Sequence, residues 1–182
     1  MRTLSTPPMA LHQGRLDLLE AFFEADAGLF ARTFTHEDVF PPSLGCHDDH
    51  SLALCGTPLG GATLLHMAVD YDEWEIFAWM LAQGADPNVR AAIDKDGFGG
   101  HTPLFSCVVN QPYRCSTGGQ EKYVAALLER GADPTVRASL RKRLRFVSDE
   151  TEHEYRGVTP REWGEQFHDQ DWVNPAVVRM LP

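Results

Sequence analysis

Cysteine, long apolar runs and positive charge are all scarce in this sequence. Four cysteines are few for 182 residues, and disulfide frameworks belong mostly to small secreted domains, so we expect free thiols. No run of about 18 apolar residues could span a bilayer, and the N-terminal stretch lacks the apolar segment of a signal peptide. We therefore expect a cytoplasmic protein that does not enter a membrane.

The short motifs of the common enzyme classes are also missing. The sequence has no glycine-rich phosphate loop, and neither Ser106 nor Cys107 lies in a nucleophile elbow. No two carboxylates stand out at a fixed spacing, and most of the histidines are scattered along the chain. We expect no enzyme activity, no cofactor and no small-molecule substrate.

Positive charge is in the minority, because 16 Lys and Arg residues oppose 26 Asp and Glu residues, for a net charge of -10. A chain of this charge repels phosphate backbones at long range. The basic stretch 137–145 is the exception, and it leaves nucleic-acid binding as an alternative function. Four carboxylates follow it within 149–154, so we expect the basic and acidic halves to neutralise each other.

The sequence does contain an internal repeat. Segments that start at Gly61, His101 and Val158 align with one another, and the stretches LAQGADPNVR and LLERGADPTVR are nearly identical. A further half-match, GRLDLLEAFFEADAG from Gly14, indicates a degenerate first repeat that is preceded by a short helix near Thr6-Pro7. Similarity of this kind predicts a repeat architecture.

Each repeat carries the signals of two helices. Thr-Pro pairs at 102–103 and 159–160 indicate helix starts, because the hydroxyl can cap free N–H groups and proline suits the first helical position. Gly84 and Gly131 supply the left-handed residue that ends a second helix. We also expect Asp72 to cap the second helix of its repeat, with Glu75 completing a capping box. Apolar residues at helical spacing lie between these signals: Trp74, Ile76, Phe77, Met80 and Leu81, then Tyr123, Val124, Leu127 and Leu128.

These letters resemble the ankyrin repeat family, which has a period of about 33 residues and the motif T-P-L-H-x-A. The stretch TLLHMA at 63–68 differs from the motif only at the proline, and TPLFSC at 102–107 has phenylalanine in place of histidine. The resemblance covers rather more than half of the chain. It implies an all-α, helix-turn-helix solenoid with extended β-hairpin fingers, and a structural hydrogen-bonding role for His66.

We therefore expect one ankyrin repeat domain over 1–182. The spacing between corresponding threonines exceeds the family period, which places the excess residues in loops. The approximate repeats are 1–29, 61–88, 100–135 and 157–182, with insertions at 30–60, 89–99, 111–119 and 136–156.

The segments that follow the second and third repeats both begin Val-Arg-Ala. In the family this segment is the hairpin finger, so the resemblance implies two fingers, the second about twice the usual reach. We expect its halves to pair as antiparallel strands around a turn near Ser148-Asp149. Basic residues would then lie opposite acidic ones, and each such pair contributes about 0.2 to 1 kcal/mol.

A partner-binding surface is predicted on these fingers. Phe98 lies between Gly97 and Gly99, where no helix can shelter an aromatic ring, and exposed aromatics and arginines dominate binding energy in interfaces. The alternative is that Phe98 packs against the neighbouring finger and that the arginines serve only the hairpin. The predicted surface consists of Arg90, Phe98, Arg141, Arg143 and Tyr155.

A second candidate site is the loop 46–55, which contains thiols and imidazoles, the ligand types that zinc prefers. The spacing of Cys46, His47, His50 and Cys55 matches no standard zinc module. We assign no metal and keep a metal-binding module, with or without a hydrolase activity, as an alternative.

The function that these expectations favour is non-catalytic protein binding. The chain would act as an adaptor or inhibitor that binds a partner protein through its fingers and concave face. This step follows from the resemblance, since repeat solenoids present long binding surfaces.

Overall fold

The computed structural model describes residues 6–39, 57–110, 119–142 and 151–182. Within these ranges lie nine α-helices, two 3-10 helices (Leu29–Ala31 and Gln170–Trp172) and two strands. No helix in the described ranges is long and apolar enough to cross a bilayer. The α-helices are α1 Pro7–His12, α2 Leu16–Ala25, α3 His36–Val39, α4 Leu64–Asp70, α5 Trp74–Ala82, α6 Pro103–Val108, α7 Glu121–Glu129, α8 Pro160–Gln166 and α9 Pro175–Met180. The strands are β1 Ala138–Lys142 and β2 His153–Val158.

Eight of these helices form four packed pairs: α1 with α2, α4 with α5, α6 with α7, and α8 with α9. The first helices of the pairs also pack on one another in chain order, α1 on α4, α4 on α6 and α6 on α8. The buried apolar side chains of all four pairs belong to one continuous cluster. A single short helix pair buries too little apolar surface to be stable, so the pairs depend on their neighbours.

A threonine starts each of the first helices. Thr6, Thr63, Thr102 and Thr159 directly precede α1, α4, α6 and α8 with extended backbone angles. Pro follows the threonine in three of the four cases, at the position where its missing N–H is not needed. The helix starts that the sequence predicts at Thr6, Thr102 and Thr159 therefore coincide with observed ones.

The prediction that Asp72 caps α5 is wrong. Glu73 occupies the N-cap position, and Asp72 instead has a φ of 57°. It makes the left-handed turn between α4 and α5, as Gly14 does with a φ of 64° between α1 and α2. Asp tolerates this conformation better than most residues that carry a side chain.

The fold is not strictly all-α, because the last finger contains a β-hairpin. Strands β1 and β2 pair antiparallel, with Leu140 opposite Tyr155 and Arg141 opposite Glu154, and the register shifts between Ala138 and Leu140. The turn predicted near Ser148-Asp149 lies outside the described residues. Helix pairs with a small hairpin sheet are compatible with an ankyrin-type fold.

The end of the insertion 30–60 contacts the third helix pair, which comes later in the chain. The hydroxyl of Thr57, which is fully buried, donates to the carbonyl oxygens of Phe105 at 3.3 Å and Val109 at 2.7 Å. These carbonyls lie at the C-terminal end of α6, where helices leave acceptors unsatisfied. Thr57 therefore contacts the C-terminal end of α6 before the chain enters α4.

Candidate interaction surface of the fingers

Two fingers project beside each other in the structure. Finger A is the turn 91–101, in which Ala91 N–H donates to the His101 carbonyl and Asp94 N–H donates to the Phe98 carbonyl, at 2.9 and 2.7 Å. Finger B is the strand pair β1–β2. Gly99 N–H donates to the Ser139 carbonyl at 2.7 Å, which joins the two fingers edge to edge.

Only glycine fits at the junction of the fingers. Gly99 has a φ of 115°, and a Cβ atom at this position would lie 2.0 Å from the Ala92 carbonyl oxygen. No real Cβ comes so near a backbone oxygen, so any other residue would have to displace finger A. The glycine thus permits the close approach of three backbone segments.

Phe98 lies beneath two arginines. The residue is 5% exposed, with the Arg141 guanidinium 4.8 Å and the Arg156 guanidinium 4.4 Å from its ring centroid. A guanidinium over an aromatic face at these distances is attracted by the ring quadrupole. The expectation that Phe98 is exposed is wrong, and the structure agrees with the alternative that Phe98 packs against the neighbouring finger, because finger B supplies the shelter that its own glycine-rich loop does not.

Arg141 forms ion pairs with finger A and not with its register partner in β2. Its guanidinium lies 2.7 Å from Asp94 Oδ2 and 3.3 Å from Asp96 Oδ2, although Glu154 is its register partner in β2. Glu154 pairs instead with Arg156 at 2.8 Å. The hydrogen bond that Phe98 N–H donates to Asp94, with help from Arg141, holds the pKa of Asp94 below its usual value.

Tyr155 is buried as well, with only 6% of its surface exposed. Its ring packs edge-on against Trp163 at 4.7 Å, and its hydroxyl lies 2.6 Å from Nδ1 of His168. Tyr155 therefore anchors finger B to the last helix pair and presents no free surface. Arg143 lies outside the described residues.

Arg90 is exposed, and it borders a residue that the sequence reasoning missed. This residue is Ile93 of finger A, which is 64% exposed. A Cβ atom on Gly100 would meet both Ile93 Cγ1 at 3.1 Å and Arg90 Nη2 at 3.3 Å, so the two side chains lie side by side over that glycine. Arg90 is held there because it donates to the Arg137 carbonyl at 2.9 Å.

His66 has the structural environment that the resemblance implies. Its Nε2 lies 3.1 Å from the His101 carbonyl, which can only accept, so Nε2 carries the proton and donates. Nδ1 then accepts from the Thr63 backbone at 3.3 Å and faces the Thr63 hydroxyl at 2.9 Å. Burial lowers the pKa of His66 to about 4, so the ring is neutral at physiological pH and fixed between two repeats.

A family model for the ankyrin repeat matches residues 60–92. The chain therefore contains an ankyrin repeat. The matched stretch spans one repeat, contains α4 and α5, and ends at the base of finger A. A search of curated proteins found no match.

The finger residues follow a regular pattern that explains the two buried aromatics. Leu59, Phe98 and Tyr155 each lie four positions before a helix-starting threonine, and all three are buried. The glycines two positions before those threonines, at 61, 100 and 157, all have positive φ. This spacing was available in the sequence and would have predicted an inward-facing side chain at each position.

The alternatives to protein binding gain no support from the described residues. Arg137 and Arg141 of the basic stretch pair with Glu162 and Asp94, so their charge is already neutralised within the protein. No group of three potential metal ligands occurs within the described ranges. The loop of Cys46, His47, His50 and Cys55 lies outside them.

Proposed function

We propose that this ankyrin repeat protein is a non-catalytic adaptor or inhibitor that binds a partner protein through the outer edge of its fingers. Ankyrin repeats generally mediate protein–protein interaction, and the exposed pair Arg90 and Ile93 carries the proposal for this chain. We further propose that residues 1–182 form one solenoid domain of four helix pairs. The expected cytoplasmic location stays a prediction.

The proposed surface is the finger edge, defined as Arg90, Ile93, Lys95 and the Asp94–Arg141–Asp96 ion pairs. Ile93 is the more exposed of the two large apolar side chains that stand out from the described part of the chain. It combines apolar area with an arginine, the residue type that most often anchors interfaces. Phe98 and Tyr155, which the sequence suggested as contacts, support this edge from beneath.

The rigidity of the fingers supports the choice of the finger edge as the binding surface. Finger A is tied to finger B by the Gly99–Ser139 hydrogen bond and by Arg141, and to the preceding repeat by Ala92 N–H and the Gly61 carbonyl at 2.7 Å. A surface that is held in one conformation loses less entropy when it binds. The finger edge is therefore preorganised for a protein partner.

The end of the insertion favours the finger edge over the concave face that the resemblance suggested. Thr57 already contacts the C-terminal end of α6, and both Thr57 and Leu59 are fully buried. The C-terminal end of α6 is thus already contacted by the protein's own chain. A partner reaches the fingers without displacing that segment.

Photocrosslinking in cells that make the native protein tests this proposal. Benzoylphenylalanine replaces Ile93 in one variant and Glu129, exposed on α7, in a matched control. We expect a crosslinked partner from position 93, none from position 129, and loss of the adduct when Arg90→Glu is added. Equal adducts at both positions, or an adduct at 93 that Arg90→Glu leaves intact, would contradict the proposal.

A further inference from the structure

The fingers form a continuous row of backbone segments that are joined by hydrogen bonds. The Gly61 carbonyl accepts from the Ala92 N–H of finger A, and the Gly99 N–H of the same finger donates to the Ser139 carbonyl of β1. Strand β1 in turn pairs with β2. Each segment is thus paired with the next one, and within the described ranges β2 ends the row.

The backbone groups of Glu154 and Arg156 point away from β1. In an antiparallel sheet, the N–H and C=O groups of successive residues point to opposite edges of a strand. The Ser139 carbonyl faces finger A, so the backbone groups of Leu140 face β2, where Tyr155 is the register partner. The N–H and C=O groups of Glu154 and Arg156, on either side of Tyr155, therefore lie on the outer side of the hairpin, which we call the β2 edge.

The β2 edge is open to solvent. The side chains of Glu154 and Arg156 are 45% and 60% exposed. In the described part of the chain, no backbone hydrogen bond outside the hairpin involves either residue. Unpaired N–H and C=O groups along the edge of a sheet form a template on which another strand can pair. The β2 edge therefore offers a site for strand addition.

The side chains at the β2 edge favour a second copy of the same strand. Glu154 and Arg156 form an ion pair at 2.8 Å, so the exposed side of β2 carries one acid and one base. When two β2 strands pair antiparallel about Tyr155, Glu154 of each chain lies opposite Arg156 of the other, and opposite charges in such positions stabilise a sheet. Pairing about Glu154 or about Arg156 would place like charges opposite each other. The edge is thus complementary to itself in one register, as a two-fold interface requires.

We propose that the β2 edge is a homodimer interface, in which the β2 strands of two copies pair antiparallel about Tyr155. The N–H and C=O groups of Glu154 bond to those of Arg156 in the second copy, which continues the row of finger segments from one chain into the other. Arg90 and Ile93 stay outside this interface, because finger A lies on the other side of β1. The proposal therefore holds whether or not the finger edge binds a partner protein.

Amide hydrogen exchange at two protein concentrations tests the interface in the unmodified chain. Sedimentation equilibrium first gives the Kd of the dimer, at about 0.15 M salt, where distant exposed charges are screened. We expect exchange at the Glu154 and Arg156 amides to slow at least about tenfold between dilute protein and protein well above this Kd. The Tyr155 amide faces Leu140 within the hairpin and should not change. A protein that stays monomeric up to about 1 mM, or a dimer in which exchange at Glu154 and Arg156 is unaltered, would overturn the proposal.

Charge-reversed variants test the register of the two strands. Glu154→Arg makes both exposed side chains of the strand basic, and Arg156→Glu makes both acidic. We expect each variant alone to have a dimer Kd at least about tenfold higher than that of the wild type. An equimolar mixture of the two should form heterodimers, because every cross-strand pair then joins opposite charges. A mixture of folded variants that stays monomeric contradicts the pairing of Glu154 with Arg156.

Asp17→Arg is the matched control for net charge. It makes the same change of charge as Glu154→Arg and also breaks an exposed ion pair, with Arg15, but it lies in the first helix pair. We expect it to leave the dimer Kd within about twofold of the wild type. Equal weakening by Asp17→Arg and Glu154→Arg would overturn the proposal, because net charge alone would then control association. This comparison does not require Arg156→Glu, which also removes the guanidinium above Phe98, to fold.

Discussion

The hydroxyl of Thr63 lies 2.9 Å from Nδ1 of His66, whereas the hydroxyl of Thr102 has the apolar ring of Phe105 at the equivalent position. Both threonines start a first helix and both are buried. The Thr102 hydroxyl has no hydrogen-bond partner within the described residues. Two corresponding side chains in adjacent repeats thus differ in one hydrogen bond.

Replacing each threonine by the isosteric valine should separate the two cases. We expect Thr63→Val to lower the free energy of unfolding by about 1 to 2 kcal/mol, because it removes the nearer of the two Thr63 partners of a buried imidazole nitrogen. We expect Thr102→Val to be neutral or to raise stability by up to about 1 kcal/mol, because an unpaired buried hydroxyl is removed. Urea unfolding of the two variants measures this. Equal losses would show that the Thr102 hydroxyl is bonded after all.

His66 makes stability depend on pH in a window that its pKa defines. Burial lowers the pKa from 6.5 to about 4 in the folded state, so the unfolded chain binds a proton first as pH falls. Stability from this residue is full above about pH 6.5 and is lost towards pH 4, a change of about 3 kcal/mol at 1.4 kcal/mol per pKa unit. His101, whose pKa burial also lowers, acts in the same direction, and Asp70 with its raised pKa acts in the opposite one.

The variant His66→Gln isolates this contribution, because glutamine can still donate to the His101 carbonyl but does not titrate. We expect the wild-type protein to be more stable than the variant at pH 7, and the difference to shrink by about 3 kcal/mol as pH falls to 4. Urea midpoints at several pH values give the comparison. A difference that is constant over this range would mean that His66 is not held neutral by the fold.

The sequence predicted the helix starts at Thr6, Thr102 and Thr159 and the helix stops at Gly84 and Gly131, since these depend on local chemistry. Thr-Pro pairs and the glycines at 84 and 131 act on the backbone next to them. The packing of Phe98 against the neighbouring finger was predicted only as an alternative, because Arg141 and Arg156, which shelter it, lie more than forty positions further along the chain. The hydrogen bond from Thr57 to the C-terminal end of α6 also joins residues that are far apart in the sequence. No local sequence pattern predicts such a contact.

Two glycines of finger A allow a prediction in which one substitution is the control for the other. Gly97 and Gly99 both have positive φ, but a Cβ on Gly97 would meet nothing within 4 Å, whereas one on Gly99 would clash with the Ala92 carbonyl. We expect Gly97→Ala to cost about 1 to 2 kcal/mol of unfolding free energy from backbone strain alone. We expect Gly99→Ala to lower the free energy of unfolding by at least about 2 kcal/mol more than Gly97→Ala does. It should also reduce the protection of the amide at position 99 from hydrogen exchange. Similar losses for the two variants would argue against the close approach of the three segments.

Tyr123 and Asp72 connect two repeats at the ends opposite the fingers. The Tyr123 hydroxyl donates to Asp72 Oδ1 at 2.8 Å, and Lys122 lies 3.6 Å from the same oxygen. Burial, followed by the bond to Asp72, raises the pKa of Tyr123. Tyr123→Phe should lower the free energy of unfolding by about 1.5 to 3 kcal/mol, since a hydrogen bond to a charged acceptor is lost.

Substitutions at Asp72 distinguish the hydrogen bond from the exposed ion pair and from the left-handed turn. Asp72→Asn keeps an acceptor and tolerates positive φ, so only the Lys122 pair is lost, at a cost of less than about 1 kcal/mol. Asp72→Gly is compatible with the left-handed turn but removes the acceptor of the Tyr123 hydroxyl. Asp72→Ala removes the same acceptor and also strains the backbone at positive φ. We therefore expect stability to decrease in the order wild type, Asn, Gly, Ala, and Tyr123→Phe to add little when combined with Asp72→Gly. If Asp72→Asn proves as costly as Asp72→Ala, the exposed ion pair contributes more than the hydrogen bond and the turn together.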